Sequence, residues 1–171
     1  MNRFTVPRLL VTGAVLVALI VGCSGGGNPS FPTDQNHSLA GPTLKLGDIT
    51  QTGDEITVAV EYTGAKNVRA MSFRVGFDSA GLRPLDVDWS PSVGGNDSCF
   101  QMLDRAGFLP LAMASMGNPD GLTGDGILCN LRFRVLDRGH RMPWIIDDRR
   151  FLVAKDIMGR PLNLCVGGGA R

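Results

Sequence analysis

The chain has 171 residues, enough for one domain with a core large enough to fold unaided. It carries 17 basic and 16 acidic residues, a net charge of +1, and so lacks the basic patch that nucleic-acid binding requires. With 23 glycines, 10 prolines and few aromatics, its short periodic segments point to strands joined by many turns and away from long helices.

The N-terminus opens with Arg3 and Arg8, followed by an apolar run from Leu9 to Val21 that ends in Gly22-Cys23. The run falls short of the roughly 20 residues that span a bilayer, and it has the pattern of a secretory signal peptide, expected over residues 1–22. Ile20-Val21-Gly22-Cys23 resembles the lipobox of bacterial lipoproteins, with Ile where Leu is usual. The resemblance implies cleavage before Cys23 and lipid on Cys23; an ordinary signal peptide or an uncleaved anchor is the alternative. Ser24 follows in place of Asp, which implies sorting to the outer membrane in a cell with two membranes. Loss of Arg3 and Arg8 reduces the 17 basic residues to 15 against 16 acidic, close to neutral. Residues 23–42 are rich in Gly, Ser, Asn and Pro. Burial cannot offset the ordering entropy of such a stretch, which reads as a tether reaching about 25 Å.

A domain is expected over residues 43–171. Thr43 to Leu46 forms a first short strand. In Glu55 to Tyr62, Ile56, Val58, Val60 and Tyr62 share one side, the period of two that marks a strand with one buried face. Val68 to Asp78 repeats the pattern, with Met71, Phe73, Val75 and Phe77 on one side and Ser72, Arg74 and Gly76 on the other. Leu85, Val87 and Trp89 alternate with Asp86, Asp88 and Ser90. Shorter strands follow near Cys99 to Leu103 and Phe108 to Ser115, and then turns at Asn118–Gly121 and Thr123–Gly126. In Ile127 to Leu136, Ile127, Cys129, Leu131, Phe133 and Val135 make the apolar side, opposite Leu128, Asn130, Arg132 and Arg134. Phe151 to Asp156 and Pro161 to Val166 close the series around a turn at Met158-Gly159. Eight or nine short strands, with no sustained helical period after residue 42, predict an all-β sandwich.

Three pieces in order resemble the cohesin domains: Gly53-Asp54-Glu55 running into Val60; Val68-Arg-Ala-Met-Ser-Phe-Arg-Val-Gly-Phe-Asp78 leading to Leu82; and Gly121-Leu-Thr-Gly-Asp-Gly126 running into Leu131-Arg-Phe-Arg-Val135. The turn Asp156-Ile-Met-Gly159 also fits. The departures are three cysteines, the stretch from Arg138 to Arg150, and a lipid anchor in place of a scaffold chain. The resemblance implies a jelly-roll sandwich, related in fold to certain carbohydrate-binding modules, that binds dockerin modules. It also implies that Val68–Asp78 and Ile127–Leu136 are neighbours in one sheet whose outer face meets the partner. Ser72, Arg74, Asn130, Arg132 and Arg134 would then form a single binding face, and strand phasing turns the same residues outward. Arginine suits interfaces through its planar donors and apolar stem, although exposed arginines also simply keep a sheet soluble.

Catalysis finds no support. The histidines are His37, in the tether, and His140, in the charged run Arg138-Gly-His-Arg141, so no serine or cysteine gains an oriented base. Asp147 and Asp148 are adjacent in sequence, so they diverge where a glycosidase needs facing carboxylates. Asn118, Asp120 and Asp125 offer oxygens to calcium, but the calcium-loop pattern is missing and turns use the same residues; no metal or cofactor is expected. Cys99, Cys129 and Cys165 allow one disulfide whose pairing the sequence leaves open. A non-catalytic, membrane-tethered module that binds an extracytoplasmic protein is the leading reading. A polysaccharide-binding module is the alternative, with Trp144 as its exposed aromatic, as is a structural subunit of a cell-envelope or secretion assembly.

Overall fold

A computed structural model describes residues 39–93, 99–103, 107–115, 118–139 and 141–168. The expected signal peptide, Cys23, His37, His140 and most of the tether lie outside these residues. Nine strands are present: β1 (Leu39–Thr52), β2 (Glu55–Gly76), β3 (Leu82–Trp89), β4 (Cys99–Gln101), β5 (Phe108–Ala114), β6 (Leu122–Val135), β7 (Trp144–Ile145), β8 (Val153–Asp156) and β9 (Pro161–Val166). One turn of 3-10 helix covers Pro91–Val93, and the described residues contain no α-helix. The architecture is the all-β sandwich that the alternation predicts.

The two long strands each serve both layers. The first half of β2 pairs with β1 and β6, and β6 pairs in turn with β3, giving the layer β1–β2–β6–β3. The second half of β2 pairs with β5 on one side and with β7 and β8 on the other. With β4 beside β5, β9 beside β8 and the start of β1 parallel to β9, it forms the second layer. The sequence separates Glu55–Tyr62 from Val68–Asp78 as two strands; the structure joins them through a bend without loss of pairing. The bend is built by the positive φ of Gly64 (66°) and Asn67 (52°), where glycine and asparagine tolerate the left-handed region. Register shifts at Tyr62/Ala65 and Ala65/Val68 accompany it.

The predicted adjacency of Val68–Asp78 and Ile127–Leu136 is therefore corrected. Ile127–Val135 pairs with Glu55–Glu61 in the first layer, whereas Ala70–Gly76 pairs with Phe108–Ala114 in the second. Two smaller corrections follow from pairing. Leu39 and Ala40 run parallel to Leu162 and Asn163, so the last residues assigned to the tether are ordered by a strand partner. In β6 a register shift opposite Val60/Glu61 reverses the phase at its start: Leu128 is fully buried and Ile127 is 44% exposed, the opposite of the expected alternation.

Between the layers lies one core containing Leu44, Ile56, Val58, Met71, Phe73, Leu109, Leu111, Leu131 and Phe133. Phe77 and Phe133 meet at a tilted 5.6 Å across it. The β8–β9 turn is held by the almost fully buried Asp156, whose carboxylate accepts from Met158 N at 2.9 Å, Arg160 N at 2.8 Å and Arg160 Nε at 2.7 Å. Burial pushes this carboxyl up, but the hydrogen bonds and charge of Arg160 outweigh it and hold it below its ordinary 3.8.

Two outcomes test this frame. Phe133→Ala should cost about 3–5 kcal/mol in urea denaturation at unchanged m value, and Arg132→Ala, one residue away, no more than about 1 kcal/mol. Because the folded Asp156 pKa is depressed, its contribution is complete above the unfolded value near 3.8 and is lost as pH falls through the lower folded one. Calorimetry should show the Tm gap between wild type and Asp156→Asn narrowing as the pH falls from about 6 to about 2.

Candidate functional site

The outer faces of the two layers differ in chemistry, and the sequence-derived site residues divide between them. Asn130, Arg132 and Arg134 face out from β6 in the first layer; Ser72 and Arg74 face out from β2 in the second. The five residues do not form one surface. Residues two apart on a strand share a face, but β2 changes layers between its halves, so its later outward residues emerge on the far side of the sandwich from β6.

On the first layer the arginines are occupied. Arg132 reaches Glu55 at 3.2 Å and Asp86 at 4.0 Å, while Arg134 reaches Asp54 at 3.5 Å and the same Glu55 at 3.7 Å. Register sets these contacts, since Arg134 lies between Glu55 and Arg83, and Arg132 between Thr57 and Asp86. Lys45 and Glu61 form a further pair at 2.8 Å. Exposed pairs of this kind contribute about 0–1 kcal/mol each. Their effect here is to neutralise the face and keep it wet.

The second layer presents a face that is apolar at its centre, with Lys155 and Arg74 in the rows on either side. One row across it reads Phe100, Ala112, Ser72 and Val153 on β4, β5, β2 and β8. A row of Ala114, Ala70 and Lys155 lies on one side, and Pro110 with Arg74 on the other. The centre is flat because its side chains are small, and the rims stand up: Phe100 is 54% exposed and Val153 41%. The sequence carries a signal for this face that alternation alone misses. Phe108–Ala114 (FLPLAMA) has no polar residue at any outward position, whereas a strand with one wet side normally alternates.

Arg74 is a fixed part of this layer. Its guanidinium carbon lies 3.3 Å from the centroid of the Phe151 ring and 4.8 Å from that of Phe108, and its carbonyl accepts from Ile146 N at 2.9 Å. The segment after β6 is thereby folded back onto one end of the face. Within it Asp148 binds Arg150 at 2.6 Å, and the Arg150 hydrogen bonds and charge lower its carboxyl to about 2. Trp144 lies against Gly76 so closely that a Cβ there would meet the indole. Trp144 is 43% exposed, with Arg141 5.8 Å from its ring centroid.

The remaining candidate residues serve turns. Asn118 Nδ2 donates to the Gly121 carbonyl and Asn118 Oδ1 accepts from Asp120 N, while Asp125 accepts from Gly64 N at 2.7 Å. Among the described residues no three metal-ligating side chains converge. The three cysteines are thiols: Cys129 is buried, Cys99 half-buried and Cys165 exposed.

A family model described as the cohesin domain matches residues 43–146. Solved structures with a similar fold include the sixth cohesin of scaffoldin B from Acetivibrio cellulolyticus in complex with a dockerin, at 19% identity, TM-score 0.60, and coverage of 75% of this chain and 95% of that one. A non-cellulosomal cohesin from the hyperthermophilic archaeon Archaeoglobus fulgidus matches at 20% identity, TM-score 0.56, and coverage of 74% and 86%. A type I cohesin–dockerin complex from Clostridium thermocellum matches at 11% identity, TM-score 0.59, and coverage of 74% and 94%. At these identities the likeness is one of fold. No curated protein matches the chain.

If Arg74 is structural and Arg134 is solvated, chemical denaturation will separate them. Arg74→Ala should lose about 1–2 kcal/mol through its two ring contacts, and Arg134→Ala about half a kcal/mol or less. Equal effects would mean that Arg74 contributes no more than a surface charge.

Proposed function

The chain belongs to the cohesin family, and from that premise we propose that it is a non-catalytic module that binds a protein partner through the outer face of the layer β4–β5–β2–β8. The observation that carries this reading is the outward row Phe100–Ala112–Ser72–Val153, whose two ends are exposed and whose small central residues are half-buried. Exposed apolar area on a rigid sheet, small at the centre and raised at the rims, is what an interface core requires. The arginine face opposite is a poorer candidate, because its cations already answer carboxylates of the same chain.

The partner we infer is a dockerin-type protein, or another extracellular protein with an apolar docking surface. Support comes from two of the structures of similar fold, which hold a dockerin. The lipobox-like Ile20-Val21-Gly22-Cys23 supports export, lipid on Cys23 and a membrane-tethered location, with residues 1–22 removed and the segment up to β1 acting as a tether. Polysaccharide binding is the second reading, favoured by the exposure of Trp144. One face of that indole is spent on Gly76.

Capture of envelope and secreted proteins from the same cell on the immobilised chain tests both readings. Ala112→Arg, which plants a charge in the flat centre, should abolish capture of a specific protein, and the double change Arg132→Ala with Arg134→Ala should leave it intact. The reverse pattern would move the site to the other face. Retention on insoluble polysaccharide that is lost in Trp144→Ala would replace the protein partner with a sugar.

A further inference from the structure

Cys99 and Cys129 come from opposite layers and share one core cluster. Cys129 is fully buried in the core and sits directly across from Trp89 in the β3–β6 pairing. Trp89 leans over the rim, and its Nε1 donates to Gln101 Oε1 at 2.8 Å. Gln101 and Cys99 are two apart on β4 and so share its inward side, with Phe100 between them turned outward. Cys99 packs against the same core cluster that contains Cys129. The indole thus spans from the row of Cys129 to the strand of Cys99, at one end of the sandwich.

Cys165 is excluded from both pairings. It lies on β9, four strand positions from β4 in the order β9–β8–β2–β5–β4, or about 19 Å at ~4.8 Å per step. It also faces solvent, away from the interior where Cys129 is held. A disulfide needs Cα atoms roughly 4.4–6.8 Å apart with converging Cβ directions. The one strand free to supply any remaining movement is β4, three residues long and paired with β5 alone.

We propose that Cys99 and Cys129 close an intramolecular disulfide across the sandwich, leaving Cys165 as a thiol, and that the structure described here is the reduced form. Cys99 is the entry point, because it is the partly exposed member of the pair. Its thiolate attacks one sulfur of a donor disulfide, such as oxidised glutathione, and expels one donor thiolate. Cys129 then gives up its proton and attacks Cys99 Sγ, expelling the second donor thiolate from the protein–donor disulfide. Two thiols of the chain are oxidised, one donor disulfide is reduced to two thiols, and the two protons pass to the donor sulfurs. Cys99 leads because it is the more exposed of the two thiols. Burial, then the neighbouring Cys99, pushes the Cys129 thiol far up, so Cys129 gives up its proton only in the second step, when Cys99 Sγ already carries the donor sulfur as leaving group. The bridge would pin the edge strand that carries Phe100, a rim of the apolar face, although it forms whether or not that face binds a partner.

The reduced full-length chain, purified in detergent and incubated with oxidised glutathione, supplies the test. After alkylation and tryptic digestion without reductant, mass mapping should find the Cys99 peptide joined to the Cys129 peptide, two hydrogens lighter than the sum, with Cys165 alkylated or carrying glutathione. Closing a loop of about thirty residues should raise the Tm by roughly 10 °C over the reduced chain. Cys165→Ser should keep that rise, and Cys99→Ser should lose it while matching wild type under reductant. Glutathione remaining on Cys99 with Cys129 free, any link through Cys165, or an equal oxidised Tm for Cys99→Ser and wild type would overturn the assignment.

Discussion

The structure depends on a change of phase within one strand. Along β2 the buried positions are Ile56, Val58, Val60 and Tyr62, all even, then Ala65 and Val68 at steps of three through the bend, and then Met71, Phe73 and Val75, all odd. A strand that kept its phase through the bend would turn its second apolar set toward solvent, because side-chain direction alternates with period two. The left-handed residues Gly64 and Asn67, with register shifts at Tyr62/Ala65 and Ala65/Val68 against β6 and at Val68/Ala70 against β8, absorb the three steps of three that carry the phase from even to odd. One strand thereby feeds the same core from both layers, which is how the described strands close around a single interior.

That phase change also separates two surfaces that sequence phasing would merge. The face of β6 and the first half of β2 places guanidinium groups among carboxylates and is neutral and wet. The face of the second half of β2 is built from alanines and a serine between Phe100 and Val153. Charge pairs on the first face leave little to offer a partner, since any partner cation or anion must displace an existing ion pair. On the apolar face the chain covers the end at Arg74, where Phe151 stacks on the guanidinium, and leaves Phe100 and Val153 exposed. Family membership and the chemistry of the surface both support a protein-binding module, and the apolar face is the docking surface we propose for it.

Much of this was legible in the sequence. The all-β class, the strands at Glu55–Tyr62, Val68–Asp78 and the later part of Ile127–Leu136, and the core residues Phe73, Leu131 and Phe133 follow from alternation alone. Alternation reports which residues share a side of a strand, not which layer the strand has entered, so Arg74 and Arg132 read as companions when they stand on opposite faces. Local register is equally hidden: nothing in Gly126-Ile127-Leu128 announces that a shift against Val60 and Glu61 will bury Leu128 and expose Ile127. Arg74 illustrates a third limit. Its two aromatic neighbours come from Phe108 and from Phe151, 77 residues further along the chain than Arg74 itself, and only the fold brings them together. The apolar face was readable in part, through the absence of polar residues in Phe108–Ala114.

An inter-strand map of Hα–Hα nuclear Overhauser contacts tests the change of layer most directly. The account predicts proximity of Arg132 to Thr57 and Asp86, and of Ser72 to Ala112 and Val153, with none between residues 70–76 and residues 129–135. Cross-strand contacts linking Ser72 or Arg74 to Asn130, Arg132 or Arg134 would contradict it, and would restore one continuous arginine-bearing sheet.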